Sequence, residues 1–110
     1  MSENGDTHQV TRLLDEIAEG KTSAKEDLVS AVYDQLRKIA HVRMASERRG
    51  HTLQATALVN EACMRLLPGL TERNIRNHYD FYGAAAEAMR RVLVDHARSR
   101  KRGKRGGDSQ

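Results

Sequence analysis

Apolar residues return every three to four positions in four separate stretches of this 110-residue chain, and that rhythm limits what it can become. The first stretch, roughly Gln9–Glu19, carries Val10, Leu13, Leu14 and Ile17 on one face, with Gly20 as its stop. The second opens on Ser23-Ala24-Lys25-Glu26, which has the form of a capping box. It carries Leu28, Val32, Leu36, Ile39 and Ala40, weakens toward Met44 and ends at Arg48-Arg49-Gly50. Residues 50–55 read as a connector. A third helix is expected from near Thr56 to Leu67, with Leu58, Ala62 and Leu66 on one edge of its stripe and Val59, Cys63 and Leu67 widening it. Pro68, the only proline, and Gly69 stop it. Asn60, Glu61 and Arg65 face away from that stripe, and Glu61 and Arg65 are one turn apart and placed to pair.

A polar loop from Thr71 to Arg76 leads to the last helix, where Asn77 is read as the cap and Asp80 as its first-turn partner. Its inward face is read as Tyr82, Ala85, Ala86, Met89, Val92, Leu93 and His96, and the alanines at 84, 85, 86 and 88 favour close helix approach. Residues 1–8 are expected to be disordered. Gly103, Gly106 and Gly107 predict that helix stops near residue 102, leaving 103–110 as a basic, flexible tail. The expected fold is all-α: one domain over residues 9–102, a compact bundle of about four helices whose long last helix has a basic end.

Composition narrows the function. Alanine and leucine dominate the apolar residues, in keeping with helices. Cys63 is the only cysteine, so no intrachain disulfide forms, and a reducing compartment is expected. No apolar run approaches the length of a membrane span, and the polar, acidic start is unlike a secretory signal. His8, His41, His51, His78 and His96 have no metal-ligand spacing, and Cys63 has no second thiol. Gly103-Lys104-Arg105-Gly106-Gly107 follows no strand and precedes no helix, so it does not cradle a phosphate. Glu61 beside Arg65, and Glu87 and Asp95 beside Arg91, read as surface pairs rather than a poised acid and base. An enzyme is not expected, nor a cofactor or metal.

Charge distribution points elsewhere. Residues 1–95 hold 13 Lys/Arg against 14 Asp/Glu, whereas residues 96–110 hold 6 against one. A nearly neutral body with its surplus positive charge at one end attracts polyanions. Arg90, Arg91, Arg98, Arg100, Lys101, Arg102, Lys104 and Arg105 fall within 16 residues, and helical geometry puts Arg91 and Arg98 on nearly the same side. Such cations neutralise phosphates and gain from counterion release. Tyr79, Phe81 and Tyr82, three of the four aromatic residues, lie at the start of the same helix. Tyr82 falls on the core stripe. Tyr79 and Phe81 either stack on an unpaired base or seal the bundle.

Taken together, three stretches resemble the extracytoplasmic-function (ECF) type of bacterial RNA polymerase sigma factor, closest to its planctomycete branch. They are residues 28–40, residues 50–62 (Gly-His-Thr-Leu-Gln-Ala-Thr-Ala-Leu-Val-Asn-Glu-Ala) and residues 86–98 (Ala-Glu-Ala-Met-Arg-Arg-Val-Leu-Val-Asp-His-Ala-Arg). The resemblance covers about residues 9–107 and implies a sigma region 2 domain, which docks on the clamp helices of the polymerase β′ subunit and opens the promoter −10 element. Carried over by position, it makes Leu58, Asn60, Glu61 and Arg65 polymerase contacts. Tyr79, Phe81, Tyr82, Arg90, Arg91, Arg98, Arg100, Lys101, Arg102, Lys104 and Arg105 become contacts to the non-template strand of promoter DNA. An anti-sigma protein is a further implied partner, and the implied location is the cytoplasm, at the nucleoid. Ala57 stands where typical members have an acidic residue, and Ala55 and Cys63 stand where the branch often has proline and an aromatic. The helix-turn-helix domain that reads the −35 element in the family is not among these 110 residues. The other reading is a helical regulator that binds polymerase or another partner without recognising a promoter.

Overall fold

The computed structural model describes the backbone of residues 2–45 and 54–108 and the side chains of 8–45 and 54–99. Four helices follow one another: α1 (Ser2–Ala18), α2 (Ser23–Ala45), α3 (Ala55–Leu66) and α4 (His78–Asp108), with a 3₁₀ turn at Leu67–Gly69 after α3. No strand occurs among the described residues, and the fold is the all-α bundle that the apolar rhythm predicts. The connector's residues 50–53 and the Arg48-Arg49-Gly50 stop lie outside the described residues.

Helix ends have identifiable causes. Gly20 adopts φ 96°, and the Gly20 amide donates to Ile17 O at 3.0 Å while the Lys21 amide donates to Glu16 O at 3.0 Å. These two bonds form a Schellman motif, which needs a left-handed residue after the helix and so favours glycine. At the start of α4, the Asp80 amide donates to Asn77 Oδ1 at 2.9 Å, and Asp80 Oδ2 accepts from the Arg76 amide at 3.2 Å. Asn77 is the cap expected, and Asp80 reaches back past it to the Arg76 amide. The capping box expected at Ser23 does not form. Ser23 is already helical, and the Ala24 and Lys25 amides donate instead to the Lys21 and Thr22 carbonyls. The tight turn after Gly20 brings those carbonyls under the helix start and leaves a side-chain cap nothing to satisfy.

Both outer helices run further than expected, α1 beginning at Ser2 rather than Gln9 and α4 continuing to Asp108 rather than stopping near 102. Glycines lower helix propensity by about 1 kcal/mol each without forbidding the conformation.

The core is apolar throughout: among the described residues no polar or charged side chain is buried. Val10, Leu13, Leu14 and Ile17 of α1 meet Leu28, Val32 and Leu36 of α2, while Leu58, Val59, Ala62 and Leu66 of α3 meet Phe81, Ala85, Met89, Val92 and Leu93 of α4. Leu70 and the partly buried Ile75 anchor the loop between α3 and α4 to this core. One feature of α4 differs from expectation. Phe81, not Tyr82, heads the buried face, and Ala88 joins it, while Tyr82, Ala86 and His96 are only half-buried. A shift of one residue rotates a helix face by about 100°, so the stripe lies one position earlier in its first turn than the pattern implied.

Candidate nucleic-acid and polymerase interface

Two surfaces carry the residues singled out in the sequence. The first is the outer side of α3. Asn60, Glu61 and Arg65 are exposed there, as expected, and between them lies Met64, 72% exposed. Sequence reasoning missed Met64, although its signal was present: positions 60 and 64 are one turn apart on the side opposite Leu58 and Ala62. Leu58 is fully buried in the core. It therefore offers no surface to a partner, and what it contributes is the hold that fixes α3 on the bundle.

The expected pairing of Arg65 with Glu61 is not made. Arg65 Nη1 donates to Asp95 Oδ2 across the α3–α4 interface at 2.8 Å, both side chains being about half exposed. Asp95 is thus taken by Arg65 and not by Arg91. The packing of α3 against α4 brings these groups within hydrogen-bond distance.

The second surface runs along α4. Tyr79 is 77% exposed at its start, with its ring 4.2 Å from that of His78 and tilted by 36°. Phe81 is fully buried, edge-on to Tyr82 with ring centroids 5.5 Å apart. Of the two rings with an open reading, Tyr79 faces solvent and Phe81 seals the bundle; a base has no access to Phe81. The cause is helical phase, since two residues along a helix turn through about 200°.

Arg90, Arg91 and Arg98 are all exposed. Arg98 lies about 28 Å along the helix from Tyr79, at 1.5 Å per residue. Arg90 grips Glu87 with two bonds, Nε to Oε1 at 3.2 Å and Nη2 to Oε2 at 2.7 Å, and Arg91 Nε adds a third at 3.3 Å. Hydrogen bonding from Arg90 and then Arg91 lowers the Glu87 carboxyl from 4.5 to about 2. The bond to Glu87 raises Arg90 in turn. The side chains of Arg100, Lys101, Arg102, Lys104 and Arg105 lie outside the described residues; their backbone continues α4. The loop into α4 also exposes Arg73 and Arg76, with Arg76 Nε donating to Asn74 Oδ1 at 2.9 Å and Asn74 at φ 62°. Sequence reasoning passed over these two cations because the loop has no periodicity.

Among the described residues no three His, Cys, Asp or Glu side chains come together in a way that could hold a metal ion. No helix among them is long and apolar enough to cross a membrane. Cys63 is buried in the α3 stripe, and burial raises its thiol above the ordinary value.

Among the described residues the core is apolar, and apart from Leu58 and Phe81 the polymerase and DNA candidates lie at least partly on its outer faces. The sequence matches the family described as ECF sigma factor over residues 7–110, and the chain belongs to that family, whose role is in transcription initiation. No curated protein and no solved structure matches it in the corresponding comparisons.

Proposed function

We propose that this domain docks on the clamp helices of core RNA polymerase through the outer face of α3 and captures the −10 element of a promoter along α4. On this reading Asn60, Glu61, Met64 and Arg65 contact the β′ subunit. Tyr79 stacks on an unpaired base, and Arg90, Arg91, Arg98 and the run Arg100, Lys101, Arg102, Lys104 and Arg105 neutralise the non-template strand. Phe81 and Tyr82 hold the helix start that presents Tyr79.

The observation that carries the reading is the continuity of α4, which joins an exposed aromatic ring to the basic end of the chain on one 31-residue rod. Opening base pairs requires tighter binding to the separated strand than to the duplex. Stacking supplies that difference at about 1–3 kcal/mol per base, and phosphate neutralisation adds sequence-independent affinity. No chemical step is needed, and ECF sigma factors are transcription regulators rather than enzymes.

The test is equilibrium binding of the purified chain to a −10-like single strand and to the matching duplex, over a range of salt. Preference for the single strand, a steep fall with salt, and loss of the preference in Tyr79→Ala support the reading. Equal affinity for both forms, or a flat salt response, contradicts it.

A further inference from the structure

Arg90 and Arg91 lie at the middle of the cationic face of α4, yet they do not present two free charges. Glu87 takes Arg90 through both of its carboxylate oxygens and Arg91 through one of them. All three side chains are about half exposed or more. Ion pairs this open contribute little to stability and are readily exchanged for other partners. Their placement matters more for what the face offers to a ligand. The carboxylate lowers the local charge from two to one and takes part of the donor set, Nε and Nη2 of Arg90 and Nε of Arg91.

We propose that Glu87 is an electrostatic brake on nucleic-acid binding, holding Arg90 and Arg91 back from sequence-independent contact with phosphates. The proposal rests on α4 being the nucleic-acid face. The basic end beyond Arg98 supplies unselective attraction to any polyanion, and every competing site in bulk DNA shares that term. A fixed carboxylate in the middle of the face limits its growth. The pairing also survives acid, because the carboxyl stays ionised well below the ordinary carboxylate range. A phosphate that approaches either arginine meets the Glu87 carboxylate beside it and competes with it for the guanidinium.

The test compares the full chain with Glu87→Gln and Glu87→Asp, binding a −10-like single strand and a scrambled one of equal length across a salt series. Glu87→Gln should bind both strands about fivefold more tightly at low salt, with a salt slope steeper by about 0.7, the value for one more neutralised phosphate on a single strand. Glu87→Asp keeps the charge and should stay close to the parent. With Arg90→Gln and Arg91→Gln already in place, Glu87→Gln should no longer tighten binding. If the parent binds with a normal salt slope and Glu87→Gln is unchanged or weaker, the carboxylate positions the arginines instead, and the brake is overturned while the nucleic-acid face stands. If neither parent nor variant binds either strand in a salt-dependent way, both the brake and the face are overturned.

Discussion

Tyr79 and Phe81 stand two residues apart on one helix and meet opposite surroundings, one exposed and one wholly enclosed. Their substitutions should therefore separate stability from binding. Phe81→Ala leaves a cavity in the core and should cost about 3–5 kcal/mol in denaturant unfolding. Tyr79→Ala should change stability by no more than about 0.5 kcal/mol. Cys63 offers a second check. Its thiol is buried and shifted upward, so it should resist a thiol reagent at neutral pH and react fully once the chain is unfolded. Rapid reaction of the folded protein would contradict that packing. Glu87 supplies a pH signature. A carboxyl lowered in the folded state contributes stability above its unfolded value of 4.5 and loses that contribution as pH falls through about 2. Its side-chain carbon, followed by NMR, should titrate near 2; a midpoint near 4.5 would show that the Arg90 and Arg91 bonds do not persist in solution.

At the scale of elements, Asn77→Ala removes the bond from the Asp80 amide and should cost about 1 kcal/mol, seen as a lower unfolding midpoint. The element plan was legible in the sequence because each of the four helices carries its own apolar stripe and most connectors carry a stop residue with a mechanism. Gly20 and Asn77 act as their types predict. Three things were not legible, each for a physical reason. The choice between Phe81 and Tyr82 as the inward ring turns on about 100° of helix phase, which two adjacent aromatics do not decide. Arg65 has two carboxylates within reach, and only the packing of α3 on α4 selects Asp95 over Glu61. The role of Leu70 and Ile75 in tying the loop to the core is invisible to any periodic pattern, since neither belongs to a stripe. The candidate site was partly legible. Exposure of Asn60, Glu61 and Arg65 followed from phase; the sequence left Tyr79 and Phe81 open, and Leu58, drawn in by its place in the family's motif, and Phe81, drawn in with its aromatic neighbours, lie in the core.

For the whole molecule, the separation of the two faces is the organising fact. α3 presents Asn60, Glu61 and Met64 on one side, and α4, about 46 Å long at 1.5 Å per residue, carries Tyr79 at one end and the basic run at the other. The Arg65–Asp95 pair is a polar tie between these two helices. On the proposed function, α3 meets the protein partner and α4 the nucleic acid, each on an outer face of the bundle. The most direct test is the affinity of the chain for an isolated clamp-helix fragment of the polymerase β′ subunit. The account predicts that Asn60→Ala, Glu61→Ala and Met64→Ala together weaken binding by about tenfold or more, as expected when central contacts of an interface are truncated. Tyr79→Ala with Arg98→Gln should leave that affinity unchanged. Binding by the α3 variant as tight as that of the parent would contradict it.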